Sequence, residues 1–294
     1  MKVCTTRAQL REARRELDGT LGLVPTMGAL HAGHLSLVEH ARRTDDHVAV
    51  SIFVNPRQFG PDEDYDSYPR TRDADLKALE AAGVDLVWTP GVEDVYPEGF
   101  DAQVHVGGVT QVLEGKARPG HFDGVCTVVS ILLNLFAPDD AFFGLKDAQQ
   151  TVVLAKMVED LGIDVRLHRC PIVREDDGLA LSSRNRYLTP AQRALAPSLH
   201  RALTKARQAW QAGQCSAGAL RLIILDGLVD LPEGEVDSLS VADLRTLQEV
   251  PVIGDDPVLL SAVLRFGDVR LLDNEVLSKD PVCLLYTSPS PRDL

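Results

Sequence analysis

Residues Leu21–Val54 read LGLVPTMGALHAGHLSLVEHARRTDDHVAVSIFV. Leu21 to Val24 is a short apolar run ending at Pro25, and it reads as a strand. His34 to Arg43 carries Leu35, Val38 and Ala41 at helical spacing. His47 to Val54 is a β-branched run of the kind a sheet buries. Together they predict one strand–helix–strand unit, with the loop Pro25–His34 at the carboxyl end of its first strand.

The same alternation continues downstream. Asp73 to Ala82 places Leu76 and Leu79 on one helical face before Gly83, and Val84 to Trp88 reads as a strand. Phe122 to Phe136 predicts a long apolar helix stopped by Pro138. Ala141 to Phe143 predicts a strand, Asp147 to Leu161 a helix, and Val165 to Val173 a strand broken by Pro171. Such alternation argues for an α/β protein with a Rossmann-like parallel sheet and helices on both faces. Ligands of such sheets bind at the carboxyl ends of the strands. The N-terminal stretch MKVCTTRAQLREARREL is charged and helix-like.

Beyond Val173 the texture changes. REDDGLALSSRNR is a polar loop, followed by helical patterns over Thr189 to Gly213, interrupted at Pro197, and Ser216 to Asp230. Strands are expected at Glu235 to Val241, Val258 to Phe266 and Val269 to Leu272. This predicts a main domain over 1–175 and a smaller C-terminal α/β lid domain over 176–280. The terminal string CLLYTSPSPRDL (283–294) resembles translated adaptor read-through and is expected to be a non-native tail.

Composition narrows the class. The 294 residues are 45% hydrophobic and 25% charged, an ordinary globular balance. Thirty Lys and Arg against 43 Asp and Glu give a formal net charge of −13, which disfavours nucleic acid as the main partner. No apolar run reaches the ~18–20 residues of a membrane helix, and no secretory signal is visible, so a cytoplasmic protein is expected. The cysteines, Cys4, Cys126, Cys170, Cys215 and Cys283, are odd in number and lack CxxC spacing. They read as reduced, mostly buried thiols, with neither a disulfide framework nor a metal site.

The loop PTMGALHAGH carries the strongest chemical signal. Gly28 and Gly33 permit close backbone approach, and His31 and His34 lie on one side of a starting helix. A helix N-terminus with such histidines suits a triphosphate whose charge grows in a transition state. An isolated HxxH would more simply be a strand–helix turn with surface histidines. Four further motifs are open to two readings each. In FVNPRQF, Asn55 and Gln58 could orient a hydroxyl or carboxylate, or merely line a turn set by Pro56. In RPGHFDGV, Arg118 could serve a ligand or be a solvated helix-entry residue. In GLKDAQQ, Lys146 offers a mobile positive charge, whereas Asp147 and Gln150 also fit a capping box. In LSSRNRYL, the hydroxyls of Ser182 and Ser183 and the Arg184 guanidinium form either a phosphate loop or a plain polar one. Val173 reads equally as a pocket-lining or a core valine. Asp73 and Asp75 read first as an acidic first helical turn and second as outer partners of a metal ion.

These motifs together resemble one family. HAGH resembles the HxGH signature of the nucleotidyltransferase superfamily. The string PTMGALHAGH, with FVNPRQF, YPRT (68–71), RPGHFDGV, FFGLKDAQQ, LSSRNRYL and RLLDN (270–274) in order, resembles the pantothenate synthetase (pantoate–β-alanine ligase) family as far as Val276. The resemblance implies ATP-dependent condensation of pantoate with β-alanine through a pantoyl adenylate, releasing AMP and pyrophosphate. It implies His31, His34, Lys146 and Arg184 as catalytic residues. It places ATP against Met27, Gly28, Ala29, Leu30, His31, Ala32, Gly33 and His34, against Gly144, Leu145, Lys146 and Asp147, and against Val173, Leu181, Ser182, Ser183 and Arg184. Gln58, Gln150, Asn55 and Arg118 are implied to bind substrate. Mg²⁺ is implied to accompany ATP with few protein ligands, and a homodimer is implied. Leu181 stands where the family usually has Met. A different nucleotidyltransferase and a non-catalytic nucleotide-binding protein are the rival readings.

Overall fold

The computed structural model describes residues 1–61 and 63–279. Cys283 and the expected tail 283–294 lie outside the described residues. In chain order the first elements are β1 (Lys2–Cys4), α1 (Arg7–Arg15), β2 (Leu21–Thr26), α2 (Ala32–Thr44), β3 (His47–Ile52), α3 (Arg72–Ala81) and β4 (Leu86–Trp88). They are followed by α4 (Val92–Val95), α5 (Leu113–Ala117), α6 (His121–Phe136), β5 (Asp140–Gly144), α7 (Ala148–Leu161) and β6 (Arg166–Cys170). The six strands form one parallel sheet in the order β1-β4-β3-β2-β5-β6. The chain runs outward from β2 through β3 and β4 on one side and through β5 and β6 on the other. The order therefore reverses between β2 and β5, where open α/β sheets place their ligands.

Alternation along the strands separates two apolar layers. Leu21, Leu23, Ala49, Leu86, Trp88, Ala141 and Phe143 pack with Leu10 and Ala13 of α1 and with the apolar residues of α6. Their strand neighbours Val24, Val48, Val50, Val87 and Phe142 pack instead with Leu37, Val38 and Ala41 of α2 and Leu79 of α3. Burial on both faces is why these strands read as continuous apolar runs. No helix among the described residues is long and apolar enough to cross a membrane. Cys4, Cys126 and Cys170 are buried and Cys215 is exposed; all four are free thiols. Burial pushes the thiols of Cys126 and Cys170 up to about 12, which leaves them unreactive.

One expectation fails at the N-terminus. Lys2–Cys4 is not helical but an edge strand, with Lys2 beside Leu86 and Cys4 beside Trp88. Helix starts only at Arg7, where Thr6 and Gln9 form a capping box. A three-residue strand is too short to show a period, and the charges that follow dominated the pattern.

The chain divides into two compact units. One holds Met1–Gly144 and Val153–Cys170; the other holds Leu145–Val152 and the described residues from Pro171 onward. The second unit contains α8 (Pro190–Leu195), α9 (Ser198–Gln211), α10 (Ala217–Asp226) and an antiparallel sheet of β7 (Gly234–Asp243), β8 (Val258–Phe266) and β9 (Val269–Leu277). Alternate residues of β8, Leu260, Ala262, Leu264 and Phe266, pack with Leu199 and Leu203 of α9 and Leu220 and Ile224 of α10. Pro197 separates α8 from α9, as expected. Boundaries differ from expectation at several elements, and two of the shifts have a clear cause. β9 extends to Leu277, because Asp273, Asn274 and Glu275 break the apolar pattern without breaking the pairing to β8. α7 begins at Ala148, because Leu145–Asp147 forms a separate 3₁₀ turn.

Candidate active site

The loop after β2 is held from below. Thr26 Oγ1 donates to the Ser51 carbonyl at 2.8 Å and accepts from the Gly28 N–H at 3.2 Å. Gly28 then turns with φ +83°, where a Cβ would lie 3.0 Å from Ile52 and 3.1 Å from the Asp75 carboxylate. Ala29 follows at φ 49°, a costly conformation for a residue with a side chain. What stabilises it is Asp75, whose carboxylate accepts the Ala29 N–H at 3.0 Å, the Leu30 N–H at 2.9 Å and the Thr71 hydroxyl at 3.1 Å. Asp75 is 3% exposed. Asp75 does lie in the acidic first turn of α3, as expected, but it is buried there and anchors the loop.

His31 and His34 cap α2 reciprocally. His31 Nδ1 accepts the Gly33 N–H at 3.2 Å, and His34 Nδ1 accepts the His31 N–H at 3.4 Å. A ring nitrogen that accepts carries no proton, so in this arrangement the proton of each imidazole sits on Nε2. The rings lie 4.1 Å apart at 35°, so both donors are carried on one side of the helix start. One geometry thus caps the helix and gathers both imidazoles at its start.

Asn55 is 1% exposed and ends the β3 extension. Its Nδ2 donates to Gln58 Oε1 at 3.0 Å and to the Gly124 carbonyl at 3.1 Å. Its Oδ1 accepts from the Tyr96 hydroxyl at 2.7 Å and the Arg57 N–H at 3.2 Å. That uses its full amide capacity, and Asn55 thereby orients Gln58. Gln58 in turn shows its amide N–H₂ side, one hydrogen of which reaches Met27 Sδ at 3.2 Å. Gly124 lets α6 approach this turn, since a Cβ there would sit 2.2 Å from the Arg57 carbonyl. Arg118 is not solvated. Its guanidinium grips Glu63 at 2.7 and 2.5 Å and approaches His121 Nε2 at 3.1 Å, while His121 Nδ1 donates to the Gln58 carbonyl at 2.8 Å. The first unit thus assembles Met27–His34, Asn55, Gln58 and Arg118, and Gly144 ends its strand β5.

The second unit contains the other expected residues. Leu145–Asp147 is the turn that carries Lys146, whose Nζ lies 3.4 Å from Asp147. Gln150 is partly exposed in the first turn of α7. The Leu181 N–H donates to the Val173 carbonyl at 3.0 Å, which brings those two residues together; Val173 is partly exposed and so not a core valine. Ser182 Oγ caps the 3₁₀ turn Ser183–Tyr187 by accepting the Arg184 N–H at 3.3 Å. Residues that the sequence reading gave no such part are Asp75, Tyr96, Glu63, Asp273 and Asn274. Each acts through a contact distant in the chain. RLLDN signalled Asp273 and Asn274 by its resemblance, and Asp75 was singled out only as a first-turn acid or an outer metal partner.

The sequence model of the Pantoate-beta-alanine ligase family matches residues 2–276. The chain belongs to the pantoate–β-alanine ligase family. It is 53% identical over 277 residues to the pantothenate synthetase of Herpetosiphon aurantiacus, a match covering 94% of this chain and 100% of that one. It is 54% identical to the pantothenate synthetase of Chloroflexus aggregans at the same coverages. Among solved structures, the Thermus thermophilus pantothenate synthetase superposes with a TM-score of 0.88 at 47% identity, covering 94% of this chain and 99% of that one. The Francisella tularensis pantoate-beta-alanine ligase, crystallised with beta-gamma ATP and beta-alanine, superposes with a TM-score of 0.78 at 32% identity, covering 94% and 97%. A parallel sheet followed by a small antiparallel one is thus the architecture of this ligase family.

Proposed function

We propose that this pantoate–β-alanine ligase activates pantoate as an adenylate before joining it to β-alanine. A carboxylate oxygen of pantoate attacks the α-phosphorus of ATP, the bond to the bridging oxygen breaks, and pyrophosphate leaves. The amine of β-alanine then attacks the acyl carbon, loses a proton, and expels AMP. The observation that carries this reading is the pair of Nε2–H donors of His31 and His34 at the start of α2. Donors fixed in this way, beside a helix N-terminus, suit the charge that grows on phosphate oxygens.

The proposed ATP residues of the first unit are Met27, Gly28, Ala29, Leu30, His31, Ala32, Gly33, His34 and Gly144. Those of the second are Leu145, Lys146, Asp147, Val173, Leu181, Ser182, Ser183 and Arg184. Lys146 and Arg184 add positive charge for the phosphates. Gln58 presents N–H donors to an oxygen of pantoate, Gln150 is a second substrate contact, and Arg118 holds Gln58 in place. Asn55 acts through Gln58. No protein nucleophile is needed, so catalysis is positioning and charge stabilisation. Among the described residues no group of three or more His, Cys, Asp or Glu clusters to hold a metal ion. A Mg²⁺ that arrives with ATP would be held by phosphates and water and would neutralise phosphate charge. A cytoplasmic homodimer completes the reading.

The test is nucleotide product analysis with each acid omitted in turn. AMP and pyrophosphate that require pantoate, and pantothenate that requires both acids, are the expected products. ADP would overturn the roles given to His31 and His34.

A further inference from the structure

RLLDN is a motif to which the reaction above gives no part. Its last two residues lie on β9 and are buried, Asp273 at 2% and Asn274 at 3% exposure. A buried amide and carboxylate on a strand need partners, and theirs are specific. Both hydrogens of Asn274 Nδ2 are donated to successive carbonyls of one turn, that of Leu145 at 2.9 Å and that of Lys146 at 2.8 Å. Asp273 is gripped by Arg174 through both guanidinium ends, at 2.6 and 2.9 Å, and its Oδ1 also accepts the Asn274 N–H at 2.8 Å. Arg174 Nη1 also donates to the Gly178 carbonyl at 3.1 Å. Arg174 opens the hairpin in which it bridges to Ala180 and Val173 bonds to Leu181. Asn185 Nδ2 ties the following turn to the Ala180 carbonyl at 3.0 Å.

Successive strand residues project to opposite faces, so two neighbours can hold two different segments. One is the turn carrying Lys146; the other is the hairpin leading into Ser182, Ser183 and Arg184. We propose that Asp273 and Asn274 are positioning residues for the ATP reaction, fixing the Lys146 turn and the Val173–Arg184 segment in register with each other. The proposal rests on the reading of Lys146 and Arg184 as phosphate contacts. Neither Asp273 nor Asn274 touches substrate in it. Their effect is on where the two cations stand, and a shift of about 1 Å in such a group can cost roughly a hundredfold in rate.

The experiment is a double-mutant cycle of Asn274→Ala with Lys146→Ala, reading kcat and KM separately for ATP, pantoate and β-alanine, with thermal unfolding alongside. Asn274→Ala is expected to lower kcat/KM for ATP by about tenfold to a hundredfold. The KM for β-alanine is expected to stay within about twofold. Added to Lys146→Ala, the second change is expected to cost little more, because both remove the same interaction. Asn274→Ser, which keeps one donor, is expected to lie between and serves if the alanine variant does not fold. Wild-type kinetics in a folded Asn274→Ala protein, or losses that multiply in the double variant and fall on all three substrates alike, would overturn the proposal. Wild-type ATP kinetics in Lys146→Ala alone would instead remove the reading of Lys146 on which the proposal stands, and that single variant separates the two failures.

Discussion

Asp75 holds Leu30: its carboxylate accepts the Leu30 N–H at 2.9 Å, with the Ala29 N–H at 3.0 Å beside it. One buried side chain on α3 thus fixes the backbone immediately before His31. Asp75→Ala would strand one buried and one part-buried N–H group and release Ala29 from its left-handed conformation. The expected cost is about 1–3 kcal/mol of stability per stranded group. Asp75→Asn keeps the size but can accept only with its one carbonyl oxygen, and it is expected to lose more in kcat than in melting temperature. Unchanged kcat in Asp75→Asn would show that the loop needs no anchor there.

A second prediction concerns Asn55 and Tyr96. The Tyr96 hydroxyl donates to Asn55 Oδ1, and Asn55 Nδ2 donates to Gln58. Tyr96→Phe removes one of the two donors that set the Asn55 amide. It is expected to raise the KM for pantoate by a few-fold, with ATP little affected, because a lost neutral hydrogen bond is worth about 1 kcal/mol. Steady-state kinetics against each substrate checks this. An equal rise for ATP would place Tyr96 elsewhere in the account.

Asp45 and Asp140 give a stability prediction. Asp140 is fully buried and held by Arg166 at 2.9 and 2.5 Å and by His168, and these partners keep its carboxyl well below the usual range despite burial. Both Asp45 carboxyl oxygens are shut off from water without a hydrogen-bond partner. Burial first, and repulsion by Asp140 second, push the Asp45 carboxyl up to about 8. Its folded value exceeds its unfolded one, so folding takes up a proton and stability declines as pH rises from the unfolded value towards about 8. Asp45→Asn removes that charge and is expected to stabilise the protein, with a gain in melting temperature that grows from about pH 5 to about pH 8. A gain that shrinks over that window would contradict this.

Glu63 gives the opposite sign. Burial pushes its carboxyl up, but the Arg118 guanidinium outweighs that, and the net shift is downward. The pair therefore adds stability above the unfolded value, lost as pH falls through the lower folded one. Glu63→Gln is expected to cost about 1 kcal/mol near neutrality, since both side chains remain partly exposed. The difference from the parent protein should vanish in acid, and urea unfolding at several pH values measures it.

The sheet was legible because β2, β3 and β5 are buried on both faces and carry unbroken apolar runs. The first histidine loop was legible because its residues are neighbours in the chain and its chemistry is local. β1 was not, since a three-residue edge strand leaves no pattern. Asp75 looked like an ordinary acidic first turn, because its partners lie 45 and 46 residues away. Asn274 reaches 128 residues back to Lys146. Spacing rules describe one helix or strand at a time and carry no information about such pairs.

The most direct measurement follows the oxygen. Pantoate labelled with ¹⁸O in its carboxylate would be turned over with ATP and β-alanine, and the phosphorus-containing products analysed by mass spectrometry. Attack of the carboxylate on the α-phosphorus predicts one labelled oxygen in AMP and none in pyrophosphate. Unlabelled AMP, or label in inorganic phosphate, would contradict the adenylate and with it the task assigned to His31 and His34.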